Sequence, residues 1–458
     1  MADKGQKAGE KIRIIIPVKA QYIINTIMAA GFEAYVVGGC VRDSVLGREP
    51  QDWDITTSAK PEQVKAMFPR TIDTGLQHGT VTVMQDREGF EVTTYRIDGK
   101  YEDSRHPREV VFTPDLREDL RRRDFTINAM AYNEKAGLVD IFGGMEDIRA
   151  GIIRCVGDPS ERFGEDALRI LRAIRFSAQL GYEIDSDTRE GIRKLAPTLR
   201  NISAERIQTE LVKLITSPHP DELRTACELG VTRVFFPEFD VAMETEQRHP
   251  HHMYNVGEHT LHSLRYVKPD KKLRLAMLLH DIGKPVTLTV DESGVTHFHN
   301  HPVISEKMAE TFLRRLKFDN DTIRAVCKLV LYHDYGNSVK PNMRIVRKAI
   351  NKIGEDAFSA LFEVKRADVM AQSDYMRQEK LELIDSWQKL YSQVQEQNQC
   401  VSLKDLAVNG SDLIKAGWKP GKELGSVLQK LLELVLEQPQ CNTREILLTE
   451  AEKYKEKP

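Results

Sequence analysis

The stretch YVVGGCVRDSVLGREPQDWDITT, residues 35–57, decides the fold prediction. Two valines end a predicted strand, Gly38 and Gly39 make a turn, and Cys40–Leu46 begins a helix. Glycines at such a junction let backbone N–H groups approach an anion at the helix N-terminus. Arg42 lies one turn into this helix, where a guanidinium pairs well with a phosphate. The stretch therefore predicts a phosphate-binding strand–turn–helix.

Two aspartates follow this turn. Asp52 and Asp54 flank Trp53 on a predicted strand, and the two-residue period of a strand places both carboxylates on one face. Adjacent carboxylates repel each other, so they need a cation. Mg²⁺ fits because it prefers oxygen ligands and keeps substrate phosphates among them. Glu91 lies on a later predicted strand, and three carboxylates on neighbouring strands indicate a two-metal phosphoryl-transfer site.

A helix predicted over Glu161–Leu180 carries charged residues at a spacing of three: Asp166, Arg169, Arg172 and Arg175. The three arginines form a slanted stripe on an ideal helix. A carboxylate only accepts hydrogen bonds and a guanidinium only donates them. Asp166 and Arg169 therefore match the amine and ring nitrogen of cytosine or adenine, whereas uracil and guanine reverse both roles. Because each mismatched buried contact costs about 1–3 kcal/mol, the pair would select CTP and ATP without a nucleic-acid template. The alternative is an exposed face with a Glu165–Arg169 ion pair.

Ten of the thirteen histidines fall between residues 249 and 333. A predicted apolar helix, LAMLLHDIGK, ends in His280 and Asp281, with His259 before it and Asp368 after it. Neighbouring His and Asp side chains are costly to bury unless they are hydrogen-bonded or bind a metal. Imidazole with carboxylate suits Mn, Fe, Ni or Zn better than Mg. This set indicates a second metal site, and the alternative is a purely structural helical region.

Composition excludes several classes of protein. The chain has 458 residues, of which 41% are hydrophobic and 29% charged, so it is long enough for about three globular domains. No apolar run is long enough for a membrane helix, and the polar first residues lack a secretory signal. Six scattered cysteines without a C-x-x-C pair favour the reduced cytoplasm. A net charge of −3 implies that any nucleic acid is held by a local basic patch.

Residues 35–57 resemble motif A of the class II nucleotidyltransferases, which include the tRNA CCA-adding enzymes and the bacterial poly(A) polymerases. Residues 96–131 resemble the flexible loop and motif B of that family, and residues 158–176 and 202–215 resemble its later neck motifs. The resemblance implies an α+β fold: a polymerase beta-like mixed-sheet head, then an all-helical neck, HD domain and tail.

The same resemblance assigns roles to individual residues. It implies that Asp52 and Asp54 hold Mg²⁺ with support from Glu91. It also implies a set of residues that hold or surround the incoming nucleotide: Gly39, Arg42, Arg123, Asp166, Arg169, Arg172 and Arg175.

The histidine–aspartate set resembles the HD phosphohydrolases, whose pattern is His…His-Asp…Asp. The resemblance carries over to four positions: His259, His280, Asp281 and Asp368. His301 and His333 match the additional histidines of two-metal HD proteins. It implies a second activity, dependent on Mn, Fe, Ni or Zn, that removes phosphate or opens a 2′,3′-cyclic phosphate on RNA or nucleotides.

The expected function is template-independent addition of CCA to tRNA 3′ ends from CTP and ATP. The expected partner is the 3′ end and acceptor region of tRNA, with no membrane and no inferable protein partner. We expect four parts: a head (12–155), a neck (156–244), an HD domain (245–375) and a tail (376–458). The alternatives are a poly(A) polymerase, an A-only enzyme, an HD phosphohydrolase as main activity and a catalytically idle RNA-binding protein, which the intact Asp52, Asp54 and Glu91 disfavour. A CC-only enzyme is disfavoured by the loop at Asp98–Phe112.

Overall fold

The structure is a computed structural model that describes residues 12–99 and 110–455. The chain divides into two compact units, Met1–Pro237 and Glu238–Pro458. The division into four parts stays a prediction. In the described part of the chain, no helix combines the length and apolar character needed to cross a bilayer.

A seven-stranded mixed sheet opens the first unit. The strands of this region, in chain order, are β1 (Ala34–Val37), β2 (Ile55–Thr57), β3 (Thr71–Gly75), β4 (Thr80–Gln85), β5 (Glu88–Thr94), β6 (Arg96–Asp98), β7 (Val110–Phe112), β8 (Met130–Asn133) and β9 (Gly137–Asp140). The sheet order is β3-β4-β5-β2-β1-β8-β9. Its neighbouring strands are antiparallel except β2 and β5, which are parallel. The strands β4 and β5 form a hairpin, and β6 pairs separately with β7.

Short helices cover this sheet and continue into a helical region. They are α1 (Val18–Ala29), α2 (Gly39–Val45), α3 (Pro61–Met67), α4 (Leu116–Arg121), α5 (Gly144–Ala150), α6 (Pro159–Glu165), α7 (Leu168–Leu180), α8 (Ser186–Leu195), α9 (Ala204–Ile215), α10 (Leu223–Glu228) and α11 (Thr232–Phe235). A two-residue parallel ladder joins β10 (Ile152–Ile153) to β11 (Glu183–Ile184).

The single helix predicted over Glu161–Leu180 is interrupted in the structure. Asp166 has an extended backbone, φ −141°, between α6 and α7. Its carboxylate accepts a hydrogen bond from the backbone N–H of Leu168 at 3.0 Å. A short acidic side chain that satisfies a free N–H at a helix start competes with a continuous helix. Asp166 therefore precedes the arginine-bearing helix rather than lying on it.

The second unit is mostly helical. Its elements are α12 (Pro237–Glu244), α13 (Val256–Tyr266), α14 (Lys271–Leu279), α15 (Lys284–Thr287), β12 (Leu288–Val290), β13 (Thr296–Phe298), α16 (His301–Arg315), α17 (Asn320–Tyr332), α18 (Met343–Ile353), α19 (Glu355–Ala371), α20 (Arg377–Glu396), α21 (Gly410–Lys415), α22 (Lys422–Glu437) and α23 (Arg444–Glu452). The hairpin of β12 and β13 departs from the all-helical expectation. Its turn is stabilised by Asp291, which accepts backbone N–H groups of Ser293 and Val295, and by Gly294 at φ +81°.

Candidate active sites

The first candidate site lies where the start of β2 runs beside the middle of the parallel strand β5. Ile55 of β2 pairs with Val92 of β5. Asp54 and Glu91 immediately precede these two residues, so the parallel pairing brings them to the same edge of the sheet. The backbone oxygen of Asp54 also accepts the N–H of Val37 at 3.0 Å, which fixes the chain there. The structure thus brings together the carboxylates predicted from distant parts of the sequence.

Asp52 and Asp54 are not on a strand, so that detail of the prediction was wrong. The strand β2 begins at Ile55 and pairs with β1, whose last residue is Val37. Gly38, at φ +82°, turns the chain away directly after Val37. Residues before Asp54 therefore find no partner on β1, and both aspartates lie in the segment that leads into the strand.

The three carboxylates repel one another electrostatically. Partial burial raises the pKa of Asp54, and the charge of Asp52 adds to this while Arg123 opposes it. Burial likewise raises the pKa of Glu91, with further contributions from Asp54 and Asp52. Nearby like charges disfavour ionisation unless a cation neutralises them. Three such oxygen donors fit Mg²⁺, a hard cation that takes carboxylate ligands.

The glycine turn lies against two arginines. A Cβ atom added to Gly38 would lie 3.0 Å from Nη1 of Arg123, and one added to Gly39 would lie 3.8 Å from Nη2 of Arg42. Arg123 is held by Asp119, whose Oδ2 lies 3.3 Å from its Nη2. The buried Nε of Arg123 has no hydrogen-bond partner among the described residues. The turn thus places two guanidiniums beside the space a phosphate would occupy.

Arg42 is connected to the helix α7 through buried polar groups that the sequence analysis missed. Its Nη1 donates to Oδ1 of Asn128 at 2.6 Å. The side-chain amide of Asn128 donates to Asp124 at 3.1 Å. Oδ2 of Asp124 accepts both Nε and Nη2 of Arg172, at 2.8 and 2.6 Å. A continuous chain of hydrogen bonds therefore runs from Arg42 to Arg172.

Asp124 is ionised within this series of hydrogen bonds. Burial alone would raise its pKa, but the Arg172 guanidinium and the Asn128 and Arg172 hydrogen bonds together hold the pKa below its usual range. Arg172 is the only guanidinium hydrogen-bonded to Asp124 among the described contacts. Truncating such a buried carboxylate leaves a charged partner unsatisfied.

Asp166 and Arg169 lie near each other but bond to other residues. Asp166 accepts two hydrogen bonds from Arg206 of α9, the shorter at 2.6 Å. Arg169 donates to Glu165 at 2.6 Å and to the backbone oxygen of Arg122 at 3.0 Å. The Glu165–Arg169 pair considered as an alternative is therefore present. Its side chains are only 21% and 12% exposed, so it is not the solvated helix face which that alternative describes.

Two arginines of α7 and one of α2 lie over a single aromatic ring, that of Phe176. The guanidinium carbons of Arg42, Arg172 and Arg175 lie 4.9, 5.4 and 3.9 Å from its centroid. Arg175 is buried and ion-paired with Glu210. No local pattern indicated Phe176 or Glu210. Glu210 pairs with Arg175, 35 residues away, and Phe176 contacts Arg42, which lies in a distant part of the sequence.

The second candidate site is a buried cluster in the second unit. Six predicted ligands meet there, and all are buried: His259, His280, Asp281, His301, His333 and Asp368. They form two groups whose donor atoms lie within 4.8 Å of one another: His259, His280 and Asp368, and separately Asp281, His301 and His333. Helices α13, α14, α16, α17 and α19 carry or adjoin these residues.

The histidine rings of this cluster are oriented by the backbone. Nδ1 of His280, His301 and His333 lies 2.7–2.9 Å from the carbonyl oxygen three residues earlier, and Nδ1 of His259 lies 3.3 Å from that of Ala371. A ring whose Nδ1–H is so bonded presents the lone pair of Nε2, as metal-binding histidines do.

The Nε2 atoms face one another in pairs. His259 and His280 are separated by 3.3 Å, and His301 and His333 by 3.2 Å. If both rings are neutral with Nδ1–H bonded, two lone pairs face each other and gain nothing, whereas two ligands of one cation lie at about this separation when metal–nitrogen bonds are near 2.1 Å. Each pair therefore has the geometry of ligands that share a metal.

Asp281 connects the two groups. Its Oδ2 lies 3.2 Å from Nε2 of His280, and its Oδ1 lies 3.3 Å from Nε2 of His301. The ammonium of Lys284 lies 2.7 Å from Oδ2. Burial would lower the pKa of His280, but Asp281 and Asp368 raise it to about 10. The cluster thus favours positive charge, and the donor set suits a transition metal.

The loop Asp98–Phe112 is the feature that disfavours a CC-only enzyme. It lies mostly outside the described residues, which omit 100–109. Its two flanks pair as β6 and β7.

The mixed sheet, with carboxylates at its edge beside a glycine turn, defines a nucleotidyltransferase. Three family descriptions match parts of the chain: the Poly A polymerase head domain over residues 34–154, an RNA and SrmB-binding site of polymerase A over 181–243, and tRNA nucleotidyltransferase domain 2 over 287–451. A CCA-adding enzyme from Levilactobacillus brevis is 37% identical over 415 residues, which cover 90% of this chain and 91% of the relative. The chain belongs to the family of CCA-adding enzymes.

Solved structures agree with this assignment. The CCA-adding enzyme of Bacillus stearothermophilus in complex with CTP is 29% identical, with a TM-score of 0.69 and coverage of 95% and 96% of the two chains. The CCA-adding enzyme of Thermotoga maritima complexed with tRNA-CCA has a TM-score of 0.60 at 21% identity, and it covers 96% of this chain and 97% of its own. At that identity the likeness concerns the fold alone.

We expect the substitution Asp124→Asn to destabilise the first unit by about 1–3 kcal/mol, because Arg172 loses its charged partner. The folded pKa of Asp124 is lowered, so the ion pair contributes fully above the ordinary aspartate pKa near 3.9 and is lost as pH falls below it. Calorimetric unfolding at several pH values measures this.

The control is Asp86→Asn, since Asp86 is largely exposed. The destabilisation by Asp124→Asn should be full at pH 7 and shrink below about pH 4. A loss that stays constant down to pH 3, or one no larger than that of the control, contradicts the role assigned to the ion pair.

Proposed function

We propose that this protein adds CCA to the 3′ end of tRNA, using CTP and ATP without a nucleic-acid template. The observation that carries the proposal is the edge formed by Asp52, Asp54 and Glu91 beside the Gly38–Gly39 turn. Membership of the CCA-adding family, with matches over nine-tenths of the chain, supports it. A cytoplasmic location and binding of the tRNA acceptor region belong to the same proposal.

The reaction joins the tRNA 3′-oxygen to the α-phosphorus of the nucleotide. The bond from that phosphorus to the β-phosphate oxygen breaks, and pyrophosphate leaves while the hydroxyl proton is released. Asp52, Asp54 and Glu91 would hold Mg²⁺, which supplies positive charge for the phosphates and acidifies the hydroxyl. Arg42 and Arg123 orient the phosphates. Their guanidiniums are fixed by Asn128 and Asp119, so little motion is required when the nucleotide binds.

Base selection is assigned to Asp166 and Arg169. Arg206 and Glu165 fix the two side chains on either side of the α6–α7 junction. The carboxylate accepts from the exocyclic amine of cytosine or adenine, and the guanidinium donates to the adjacent ring nitrogen. Arg172 and Arg175 support this helix face through Asp124 and Glu210.

A gel at single-nucleotide resolution tests the main activity. We expect tRNA transcripts ending at the discriminator base, at C or at CC to grow to CCA and stop when CTP, ATP and Mg²⁺ are present. Asp54→Asn should reduce growth to background, because it removes a charge from the metal-binding edge. Asp73→Asn, an exposed change in the same sheet, is the control.

The alternatives give other patterns on the same gel. A long A ladder on general RNA would identify a poly(A) polymerase, and growth only from CC with ATP an A-only enzyme. Arrest at CC with both nucleotides would identify a CC-only enzyme. Relatives named CCA-adding enzyme favour none of these.

We expect Arg169→Ala to relax base selection more than it slows phosphoryl transfer. Without Arg169, the wrong base no longer leaves one buried polar group unpaired, a penalty of about 1–3 kcal/mol. Removing that penalty corresponds to about a 5- to 150-fold fall in the preference for C and A over U and G. Incorporation rates with each of the four nucleotides measure the preference. Arg193→Ala, an exposed arginine on α8, controls for loss of positive charge. Unchanged preference in Arg169→Ala refutes the base-reading assignment.

We also propose that the second unit is a metal-dependent HD phosphohydrolase. Two observations support this proposal. The Nε2 atoms of the histidines lie in pairs, and the carboxylate of Asp281 reaches both metal-binding groups. His259, His280 and Asp368 would hold one cation, and His301 and His333 the other. Such cations make a nucleophile from bound water at neutral pH. The expected substrates carry a phosphate monoester or a 2′,3′-cyclic phosphate.

Metal content tests this proposal directly. Protein loaded with Mn²⁺, Ni²⁺ or Zn²⁺ should retain two ions per chain after desalting. Asp281→Asn should lose both ions, because its two oxygens reach both groups, whereas Asp368→Asn should lose one. Asp356→Asn, an exposed aspartate of the same unit, should retain both.

The activity has its own control. The double variant His280→Ala, Asp281→Ala should abolish release of phosphate and opening of the cyclic ester by the loaded protein. Hydrolysis that persists in this variant, or metal content that Asp281→Asn leaves unchanged, refutes the HD proposal without affecting CCA addition.

A further inference from the structure

The second unit contains a cavity that the metal-binding groups do not fill. Its volume is about 310 Å³, which is within the range of small-molecule sites. It shares His251, His252, Asp368 and Gln372 with the smaller space that lies directly in front of the metal-binding groups. The cavity therefore opens toward Asp368, one of the proposed ligands.

The far wall of this cavity is apolar and aromatic. Val369 of α19 and Leu383, Ile384 and Trp387 of α20 form it. Leu383 and Ile384 lie four and three residues before Trp387, so both neighbour it on one side of the helix. An apolar wall of this kind binds a ring by burying it from water.

The indole of Trp387 is fixed in position. Its N–H donates to the backbone oxygen of Val339 at 3.2 Å, and the ring of Tyr335 packs against it edge-on at 6.3 Å. A Cβ added to Gly336 would lie 2.7 Å from the indole, so the backbone presses closely on one of its sides. A rigid planar ring in a cavity wall favours a planar ligand through stacking.

Several polar groups of the cavity adjoin Asp368. The Nδ1 atoms of His251 and His252 are buried and have no hydrogen-bond partner among the described residues. The ammonium of Lys380 donates to Gln372, which in turn donates to Asp368. Lys365 is already occupied, since it donates to three oxygens of residues 333–337. The cavity thus combines polar and cationic groups beside the metal-binding groups with an apolar wall, and Asn337 and Ser338 add further polar lining.

We propose that this cavity binds the nucleobase end of a substrate whose phosphate lies at the metal-binding groups. The substrate is one nucleoside that carries a phosphate on its ribose, either as a free nucleotide or as the 3′-terminal residue of an RNA. The inference rests on the HD function proposed above and adds the recognition of the base. Leu383, Ile384 and Trp387 are its specificity-determining residues.

Binding of separate parts of the substrate tests the proposal. The probes for Mn²⁺-loaded protein are inorganic phosphate, adenosine, and adenosine 2′-phosphorothioate, an analogue with both parts that hydrolyses slowly. The analogue should bind at least about tenfold more tightly than inorganic phosphate, which corresponds to 1.4 kcal/mol. In a chain with Trp53→Phe and Trp418→Phe, which leaves Trp387 as the sole tryptophan, adenosine should quench the remaining fluorescence.

Filling the cavity provides the matched comparison. Leu383→Trp should weaken binding of the analogue about tenfold or more and binding of inorganic phosphate far less. Leu381→Trp, on the same helix but outside the cavity, should match the wild type for both probes. If Leu383→Trp fails to fold, the fluorescence of Trp387 still decides the question.

The outcomes separate this inference from the HD proposal. Phosphate that binds while the analogue binds no more tightly, with no quenching of Trp387, overturns the cavity assignment and leaves the metal site intact. Failure of the metal to bind overturns both proposals. A short RNA with a 3′-terminal 2′-phosphorothioate distinguishes the sources. Affinity equal to that of the mononucleotide supports an RNA end, and affinity at least about tenfold weaker supports a free nucleotide.

Discussion

The parallel pairing of β2 with β5 sets the chemistry of the head. Every other pair of neighbouring strands in the sheet is antiparallel, and this one parallel pair places the start of β2 beside the middle of β5. Asp54 and Glu91 precede the paired residues Ile55 and Val92, and the Gly38 turn ends β1 beside them. Like charges held together by backbone hydrogen bonds cannot relax apart, so the fold itself creates the demand for a cation.

The second unit meets the same constraint with different ligands. Asp281 and Asp368 are buried almost completely, which is costly for isolated carboxylates. Imidazoles oriented by backbone carbonyls surround them, and Lys284 adds a fixed positive charge. The oxygen-rich edge of the head suits Mg²⁺, whereas the nitrogen-rich cluster suits a transition metal. Two separate sites in one chain can therefore hold different metals.

Local sequence patterns predicted the structural features that depend on neighbouring residues. They missed the contacts between residues that are distant in the sequence. The glycine turn, Arg42 and the β4–β5 hairpin were predictable because period and turn chemistry act over a few residues. The break at Asp166 was missed, since helix periodicity continues through it while its side chain caps the next helix. Asp124, Asn128 and Glu210 were missed because their partners lie 35 to 86 residues away. The histidine cluster was recognised through family resemblance, as its six ligands span more than a hundred residues.

In the base-selecting role that we propose for Asp166 and Arg169, the hydrogen bonds these side chains already make determine how the pair would discriminate between bases. Both side chains are already hydrogen-bonded, Asp166 to Arg206 and Arg169 to Glu165. A matched base shares or replaces these bonds with equivalent ones, so binding costs little. A mismatched base displaces them and returns nothing, which leaves buried charged groups unsatisfied. Discrimination thus arises from the cost of the wrong exchange, and it depends on Arg206 and Glu165 as much as on the pair that contacts the base.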